Sequence, residues 1–261
     1  MKLTIVKVGG AIVEDEKTLQ NLLRDFSSLP GPKVLVHGGG RSATQMAARL
    51  GIESHLIGGR RVTDRQTLDV VTMVYGGLVN KRIVAGLQAC GTNAVGLTGA
   101  DMDVIRSHRR PVVQTADGDV DYGYVGDVDR ADGDRLHLLI SAGITPVMAP
   151  LTHDGHGQIL NTNADTIASA TATALSSHYE VTLVYCFEKP GVLRNADDDT
   201  SVIPLINAQS YEQLKADGTV SGGMLPKLDN AFAALRAGVT RVVITQATAL
   251  AEGGGTVVTI G

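Results

Sequence analysis

The stretch Leu3-Thr4-Ile5-Val6-Lys7-Val8-Gly9-Gly10 is a short apolar run that ends in a lysine and two glycines. A second stretch, Val34-Leu35-Val36-His37-Gly38-Gly39-Gly40, repeats the pattern of an apolar run followed by glycines. Short apolar runs bounded by turn residues predict buried strands. Ligands collect at the carboxyl ends of parallel strands, so a ligand is predicted where the two glycine clusters meet.

The rest of the chain alternates between strand-like and helix-like segments, which predicts an α/β fold with a mostly parallel sheet covered by helices. Residues 112–128 differ, because β-branched residues alternate around the Asp117–Gly118 pair and predict an inserted β-hairpin. The helical pattern over residues 63–91 is predicted to be interrupted at Gly76–Gly77. We expect a single domain over residues 1–261, with one lobe at 1–177 and a second at 178–261.

The composition of the chain limits which partners it can bind and in which cellular compartment it is expected. The chain has 261 residues, with 23 basic and 27 acidic side chains, a net charge of −4 and no basic cluster. Such a chain lacks the broad positive field that nucleic acid binding requires. No apolar run approaches the length of a membrane span, and two cysteines suit a reducing compartment. We therefore expect a cytoplasmic protein without nucleic acid or membrane partners.

Two lysines lie next to the glycines. A charge at the end of an apolar strand, as at Lys7, is costly unless it meets an anion, although an edge lysine can also extend to water. Lys227 closes the string Ser221-Gly222-Gly223-Met224-Leu225-Pro226-Lys227, which opens a predicted helix. Glycines at a helix start leave backbone N–H groups free for phosphate. An ordinary surface lysine is the alternative for Lys227.

Other polar strings precede helices. Asn161-Thr162-Asn163-Ala164-Asp165 opens a helix, so one asparagine can cap it and Asp165 suits the helix dipole. The alternative places Asn161 and Asp165 at the carboxyl edge of the sheet. Arg61 precedes the long helix and is a candidate to bind a carboxylate through two hydrogen bonds, although a surface role is equally open. The histidines show no metal-ligand spacing.

Three well-known sequence motifs for other enzyme classes match this chain only in part or not at all. Gly38, Gly40 and Ala43 match a dinucleotide fingerprint, and Asp64 lies at the right distance, but no apolar strand precedes Asp64. The His37–Gly40 string also resembles a hydrolase oxyanion loop, yet the sequence has no G-x-S-x-G elbow. A Walker A motif is missing as well.

Taken in order, these strings resemble the amino acid kinase family, and within it the acylglutamate kinase branch. The matching pieces span nearly the whole chain and are residues 7–10, 37–40, 59–63, 124–128, 161–165 and 222–227. The resemblance implies an open αβα sandwich with a mainly parallel sheet. It also implies ATP-dependent phosphorylation of the side-chain carboxylate of an N-acyl-L-glutamate, within arginine biosynthesis. ATP and phosphate-bound Mg²⁺ are the implied cofactors, with no metal-binding side chains.

The resemblance also implies residue roles. The amino-terminal lobe would hold the acylglutamate and the carboxy-terminal lobe ATP. The implied catalytic residues are Lys7, Lys227, Asp165, Gly10 and Gly40. The implied substrate-binding residues are Gly39, Gly40, Arg61 and Asn161. The implied nucleotide-binding residues are Gly9, Gly10, Glu188, Gly191, Gly222, Gly223, Met224 and Lys227.

The chain departs from the family pattern in three places. Glu188 stands where the family usually has an aspartate, and Ala100 where a lysine is frequent. The sequence also begins at the first strand, whereas arginine-inhibited hexameric members carry an additional amino-terminal helix, so the resemblance implies an unregulated homodimer. A carbamate, glutamate 5- or aspartate kinase, or a non-catalytic sensor of the same fold, remain the alternatives.

Overall fold

The centre of the molecule is a twisted sheet of mostly parallel strands. A computed structural model describes residues 1–115, 118–222 and 224–261. Within these residues the sheet has eight strands, which lie side by side in the order β14 (Leu205–Ile206), β16 (Thr256–Val258), β15 (Arg241–Gln246), β13 (Glu180–Phe187), β1 (Lys2–Val8), β2 (Lys33–His37), β10 (Thr145–Met148) and β5 (Ala94–Leu97). Among the described strands of this sheet only the β15–β16 pair is antiparallel, so β16 and β14 run against the other six strands. The predicted fold class is confirmed.

Helices cover both faces of the sheet and make it the middle of three layers. One face carries α1 (Gly10–Glu14), α2 (Glu16–Ser28), α3 (Gly40–Arg49), α4 (Arg65–Val71) and α5 (Asn80–Ala89). The other face carries α6 (Gly133–Ser141), α7 (Ala164–Leu175), α8 (Ala208–Ala216) and α9 (Met224–Arg236). Each layer buries the apolar stripe of its helices, as amphipathic patterning requires.

Alternating side chains of the strands feed two separate hydrophobic cores. In β1, Leu3 and Ile5 belong to the core under α6–α9, whereas Val6 and Val8 belong to the core under α1–α5. Residues of β13 divide in the same way. Each core lies on one face of the sheet and extends over both β1 and β13. This strand pair is where the two predicted lobes join. The assignment of separate ligands to the two lobes stays a prediction.

The long helical pattern after residue 63 is one nearly continuous helix. A π-helical segment, Thr72–Val79, joins α4 to α5 and contains Gly76 and Gly77. The expected interruption is thus a widened turn, and a Cβ at Gly76 would lie 3.4 Å from Leu151 Cδ1. The combined helix Arg65–Ala89 is long and apolar enough to cross a membrane by length and composition alone. Here its inner side packs in the core through Val71, Ile83 and Leu87.

A smaller sheet lies at one end of the molecule. In the described part of the chain it has four strands in the order β12 (Ile159–Asn161), β11 (Leu151–His153), β6 (Ile105–Arg109) and β9 (Gly126–Ala131). The predicted hairpin over 112–128 is shorter in the structure, formed by β7 (Val113–Thr115) and β8 (Gly118–Val120). Residues 126–128 belong to β9 and pair with residues 107–109 of β6, which come before the hairpin in the chain. Asp117 of the predicted turn lies outside the described residues.

Candidate active site

The two glycine clusters touch each other at the carboxyl ends of β1 and β2. These strands are parallel neighbours with Val8 opposite His37. A Cβ built on Gly38 would lie 3.2 Å from the backbone nitrogen of Gly10, and one on Gly10 would lie 3.6 Å from that of Gly40. A side chain at Gly38 would crowd the Gly10 amide, whereas a Cβ at Gly10 would only just contact Gly40. Bare glycines therefore let amides from both loops face one small space.

The loop after β2 is fixed from below by a buried histidine. His37 Nδ1 lies 2.7 Å from the Gly38 carbonyl oxygen, and Asn80 Nδ2 lies 3.1 Å from His37 Nε2. Burial lowers the pKa of His37 to about 4, so the ring is neutral near pH 7. The geometry suits Nδ1–H donating to Gly38 while Nε2 accepts from Asn80. His37 is fully buried, so it supports the glycine loop from the interior of the protein.

Lys7 and Asp165 form an ion pair beside the glycines. The Lys7 ammonium lies 2.7 Å from Asp165 Oδ1, and the lysine is only 7% exposed. Asp165 stands in the first turn of α7, where the Asn163 side chain caps the helix by accepting from the N–H groups of Asp165 and Thr166. Asn163 can therefore cap the helix while Asp165 lies at the edge of the sheet. The cap fixes the first turn of α7, which holds the Asp165 carboxylate next to Lys7.

Lys227 comes to the same place from the opposite lobe. It stands at the end of the first turn of α9, and its ammonium lies 3.7 Å from the ring centroid of Phe187. The Lys7 ammonium lies 5.5 Å from the same centroid. Burial is the main cause that lowers the pKa of Lys227. The Lys7 and Lys227 ammonium groups and the Asp165 carboxylate therefore converge, which gives this cluster one net positive charge, while Glu188 in the adjoining cleft also attracts Lys227.

A cleft opens on the Lys227 side of this cluster. Its lining includes most of the residues expected to bind nucleotide, namely Gly9, Gly10, Glu188, Gly191, Met224 and Lys227, together with Gly40, Arg41 and Phe187. Glu188 lies 3.6 Å from Arg41 in an exposed ion pair that spans the cleft. Gly222 is exposed with a φ of 54° and is not among the lining residues. Gly223, also expected here, lies outside the described residues.

A second pocket opens on the other side of the glycine loops. It is lined by Gly38, Gly39, Gly40, Leu56, Gly59, Arg60, Arg61, Tyr75, Val125, Pro150 and residues 161–164. Gly40 belongs to both pockets, so they meet at that residue. Gly39 must stay bare, because a Cβ there would lie 2.9 Å from the Tyr75 ring. The hairpin of β3 (Leu56–Ile57) and β4 (Arg60–Arg61) forms part of the rim.

Arg61 is buried in this pocket, at 8% exposure, so a surface role is excluded. Its Nη2 donates to the Gly40 carbonyl and to Thr44 Oγ1, both at 2.8 Å. Among the described residues its Nη1 is buried without a hydrogen-bond partner. Burial raises the pKa of the neighbouring Tyr75 hydroxyl, and the Arg61 guanidinium acts in the opposite direction. A buried guanidinium nitrogen without an acceptor is costly, and a ligand carboxylate would supply one.

Asn161 closes the opposite wall of the pocket. Its Nδ2 donates to Thr63 Oγ1 at 2.9 Å, and its backbone N–H donates to the Tyr124 carbonyl. Thr63 in turn donates to the Arg61 carbonyl at 3.0 Å. Asn161 and Arg61 are therefore tied together through Thr63, and both face the same cavity.

The model of the family described as "Amino acid kinase family" matches residues 2–246. The chain belongs to the amino acid kinase family. The resemblance found in the sequence is thereby confirmed. The family match covers both pockets and all the lysines and glycines described above.

Relatives and solved structures agree with this membership. An acetylglutamate kinase of Phocaeicola vulgatus is 64% identical over 257 residues, covering 98% of this chain and 98% of the relative. An acetylglutamate kinase of Bacteroides thetaiotaomicron is 64% identical over 255 residues, covering 98% and 97%. The structure of smu.665 from Streptococcus mutans matches with a TM-score of 0.77 at 25% identity, covering 99% of both chains.

Sequence reasoning missed several residues of this amino acid kinase site. Tyr75 and Thr44 lie on helix faces that carry no distinctive string, so only the folded chain places them against Gly39 and Arg61. Phe187 ends a buried-type strand and gives no polar signal at all. The Phe187 ring meets Lys227 only because α9 packs next to β13. The residue pattern around Phe187 does not predict that packing.

Proposed function

We propose that this amino acid kinase transfers the γ-phosphoryl group of ATP to the side-chain carboxylate of an N-acyl-L-glutamate. N-Acetyl-L-glutamate is the first candidate, because relatives 64% identical over 98% of the chain are named acetylglutamate kinase. The same names support a place in arginine biosynthesis. The observation that carries the proposal is the meeting of two pockets at Gly40, beside Lys7, Asp165 and Lys227.

The chemistry suits this residue set. A glutamate side chain has a pKa near 4.3 and is an anion at neutral pH, so the acceptor needs no base. The difficulty is to bring that anion to the negative phosphates of ATP. Catalysis of phosphoryl transfer rests on positioning and on positive charge around the transferring group. Lys7, Lys227 and the amides of Gly10 and Gly40 are the groups placed to provide it.

We assign the pocket of Arg61 and Asn161 to the acylglutamate and the cleft of Glu188 and Lys227 to ATP. Arg61 Nη1 has no acceptor among the described residues, and we assign it to the α-carboxylate of the substrate. Asp165 would hold Lys7 in place through their 2.7 Å contact. Across the described residues, no group of three or more acidic, histidine or cysteine side chains is arranged to hold a metal. We propose that a Mg²⁺ ion bound together with ATP is held mainly by the phosphates.

A homodimer is our expectation for the assembly. Met73 and Leu78 on the long helix are 57% and 45% exposed, and a partner subunit packed against this helix would cover them. The cytoplasm is the compartment we propose. Both cysteines are free thiols, and Cys186 is buried.

The activity is tested by measuring ADP release with N-acetyl-, N-succinyl- and free L-glutamate in parallel, with hydroxylamine present to trap an acyl phosphate. We expect ADP and hydroxamate to form in equal amounts with at least one N-acyl-L-glutamate, and much less with free glutamate. Binding of both ligands without ADP release would identify a sensor of the same fold. ADP release that requires carbamate, aspartate or free glutamate instead would move the chain to another branch of the family.

A further inference from the structure

Phe187 is an aromatic residue at the centre of the positive cluster. It ends β13, and its ring lies on the same side of the sheet as Lys7 and Tyr185. The Lys227 ammonium is 3.7 Å from the ring centroid and the Lys7 ammonium is 5.5 Å from it. An ammonium within about 6 Å of an aromatic ring centroid is attracted to the ring face. One ring thus contacts both lysines of the proposed mechanism.

The ring is held in its orientation by the neighbouring aromatic residue on the strand. The Tyr185 ring stacks at 6.1 Å and 9° to that of Phe187. Tyr185 is buried, and its hydroxyl is 2.8 Å from Ser169 Oγ on α7, one turn beyond Asp165. The position of the Phe187 ring is therefore tied to the helix that carries Asp165.

The two lysines differ in what holds them. Lys7 has a carboxylate partner at 2.7 Å. Among the described residues no carboxylate lies within 4.0 Å of the Lys227 ammonium. Asp165 and Glu188 attract Lys227 from beyond that distance, while the Phe187 ring face lies close to its ammonium. A ring face attracts an ammonium without forming an ion pair with it. Lys227 is thus kept inside the cleft while its charge stays available to an arriving phosphate.

We propose that Phe187 is a positioning residue whose ring face holds the Lys227 ammonium inside the cleft, ready for the transferring phosphoryl group. The consequence for turnover rests on the proposed kinase function, but the contact itself does not. A long lysine side chain held in advance loses less conformational freedom when it meets its ligand. Replacing the ring by an aliphatic side chain should release the ammonium to solvent.

The contact is tested in the unliganded protein by NMR of ¹³C-labelled lysine side chains. The ε-methylene protons of Lys227, assigned by their loss in Lys227→Ala, should be shifted upfield by the ring current of Phe187. The shift should disappear in Phe187→Leu and Phe187→Met and persist in Phe187→Tyr. Lys215, whose ammonium is 5.5 Å from the Tyr211 ring, should keep its own signal in every variant and serves as the reference. A Lys227 signal among those of exposed lysines in the wild type would overturn the proposal.

The positioning role is tested by steady-state kinetics on the same variants. Phe187→Leu should lower kcat/KM for ATP by about 2- to 10-fold, the cost of ordering one long side chain, with the loss mainly in kcat. Phe187→Tyr should recover most of the wild-type value because it keeps the ring face. Equal values in the leucine and tyrosine variants would rule out the role. Failure of the wild type to turn over any acylglutamate would instead reject the kinase assignment, and the NMR result would still decide the contact.

Discussion

Lys227→Ala should lower kcat by at least about 10²- to 10³-fold, the loss that follows removal of one preorganised donor to a transition state. The ammonium lies in the cleft without a carboxylate partner within 4.0 Å among the described residues, so its charge is free to act on the phosphoryl group. Steady-state kinetics with ATP and the acylglutamate measures the effect. The fold should remain intact, because Lys227 is only half-buried and no ion pair with a described residue is lost.

Lys7 belongs to the same prediction, since its ammonium also lies near the Phe187 ring, 5.5 Å from the centroid. Lys7→Ala should lower kcat by at least the same factor, and Lys7→Met should do so while keeping the apolar stem that is buried in the wild type. Lys215→Ala, an exposed lysine on α8 away from both pockets, is the matched control. Near-normal turnover in either variant, with thermal unfolding like that of the control, would remove that lysine from the mechanism.

Arg61→Ala should raise KM for the acylglutamate by about 10- to 100-fold, while KM for ATP changes much less. The estimate follows from about 1.5–3 kcal/mol for hydrogen bonds to charged groups, with each 1.4 kcal/mol worth a factor of ten. The Nη1 atom, buried without a hydrogen-bond partner among the described residues, is the donor that we assign to the substrate carboxylate. Initial rates over a grid of both substrate concentrations separate the two constants.

Two controls accompany the Arg61 variant. Arg61→Lys keeps the charge but loses the planar pair of donors, so it should recover only part of the affinity. Arg49→Ala removes an exposed arginine from the last turn of α3 and should leave both constants as in the wild type. A larger rise in KM for ATP than for the acylglutamate would move Arg61 out of the acyl-substrate pocket.

The strands and glycine loops near the site could be predicted because their signals are local. Apolar runs ending in glycines located β1 and β2, and the rule for parallel strand ends placed both loops at one edge. The structure brings Lys7, Asp165 and Lys227 to that edge, although their catalytic roles remain proposals.

Other parts of the fold could not be predicted because they depend on distant partners. The strand β6, Ile-Arg-Ser-His-Arg, carries little apolar alternation and exists through pairing with β9 and β11. The two- and three-residue strands β14 and β16 likewise depend on the sheet edge that β15 offers. Neither β6 nor the β14–β16 pair has a signal within its own residues. Gly76 and Gly77 did predict an interruption of the long helix, but not that the interruption is a π-helical segment.

Within the candidate site, too, features that depend on distant packing could not be predicted from the sequence. Arg61 could be named from its string, but its burial and its hydrogen bonds to Gly40 and Thr44 follow from the packing of α3 against the rim hairpin. Phe187 has no polar atom and reads as a strand residue until α9 places Lys227 over it.

The central claim is that a substrate carboxylate oxygen attacks the γ-phosphorus of ATP where the two pockets meet at Gly40. It is tested most directly with N-acetyl-L-glutamate carrying ¹⁸O in its side-chain carboxylate. Hydroxylamine cleaves the product at the acyl carbon, so the released phosphate should contain one ¹⁸O atom for each ADP formed. Release of unlabelled phosphate together with ADP would show that water or another group was phosphorylated, and would contradict the account.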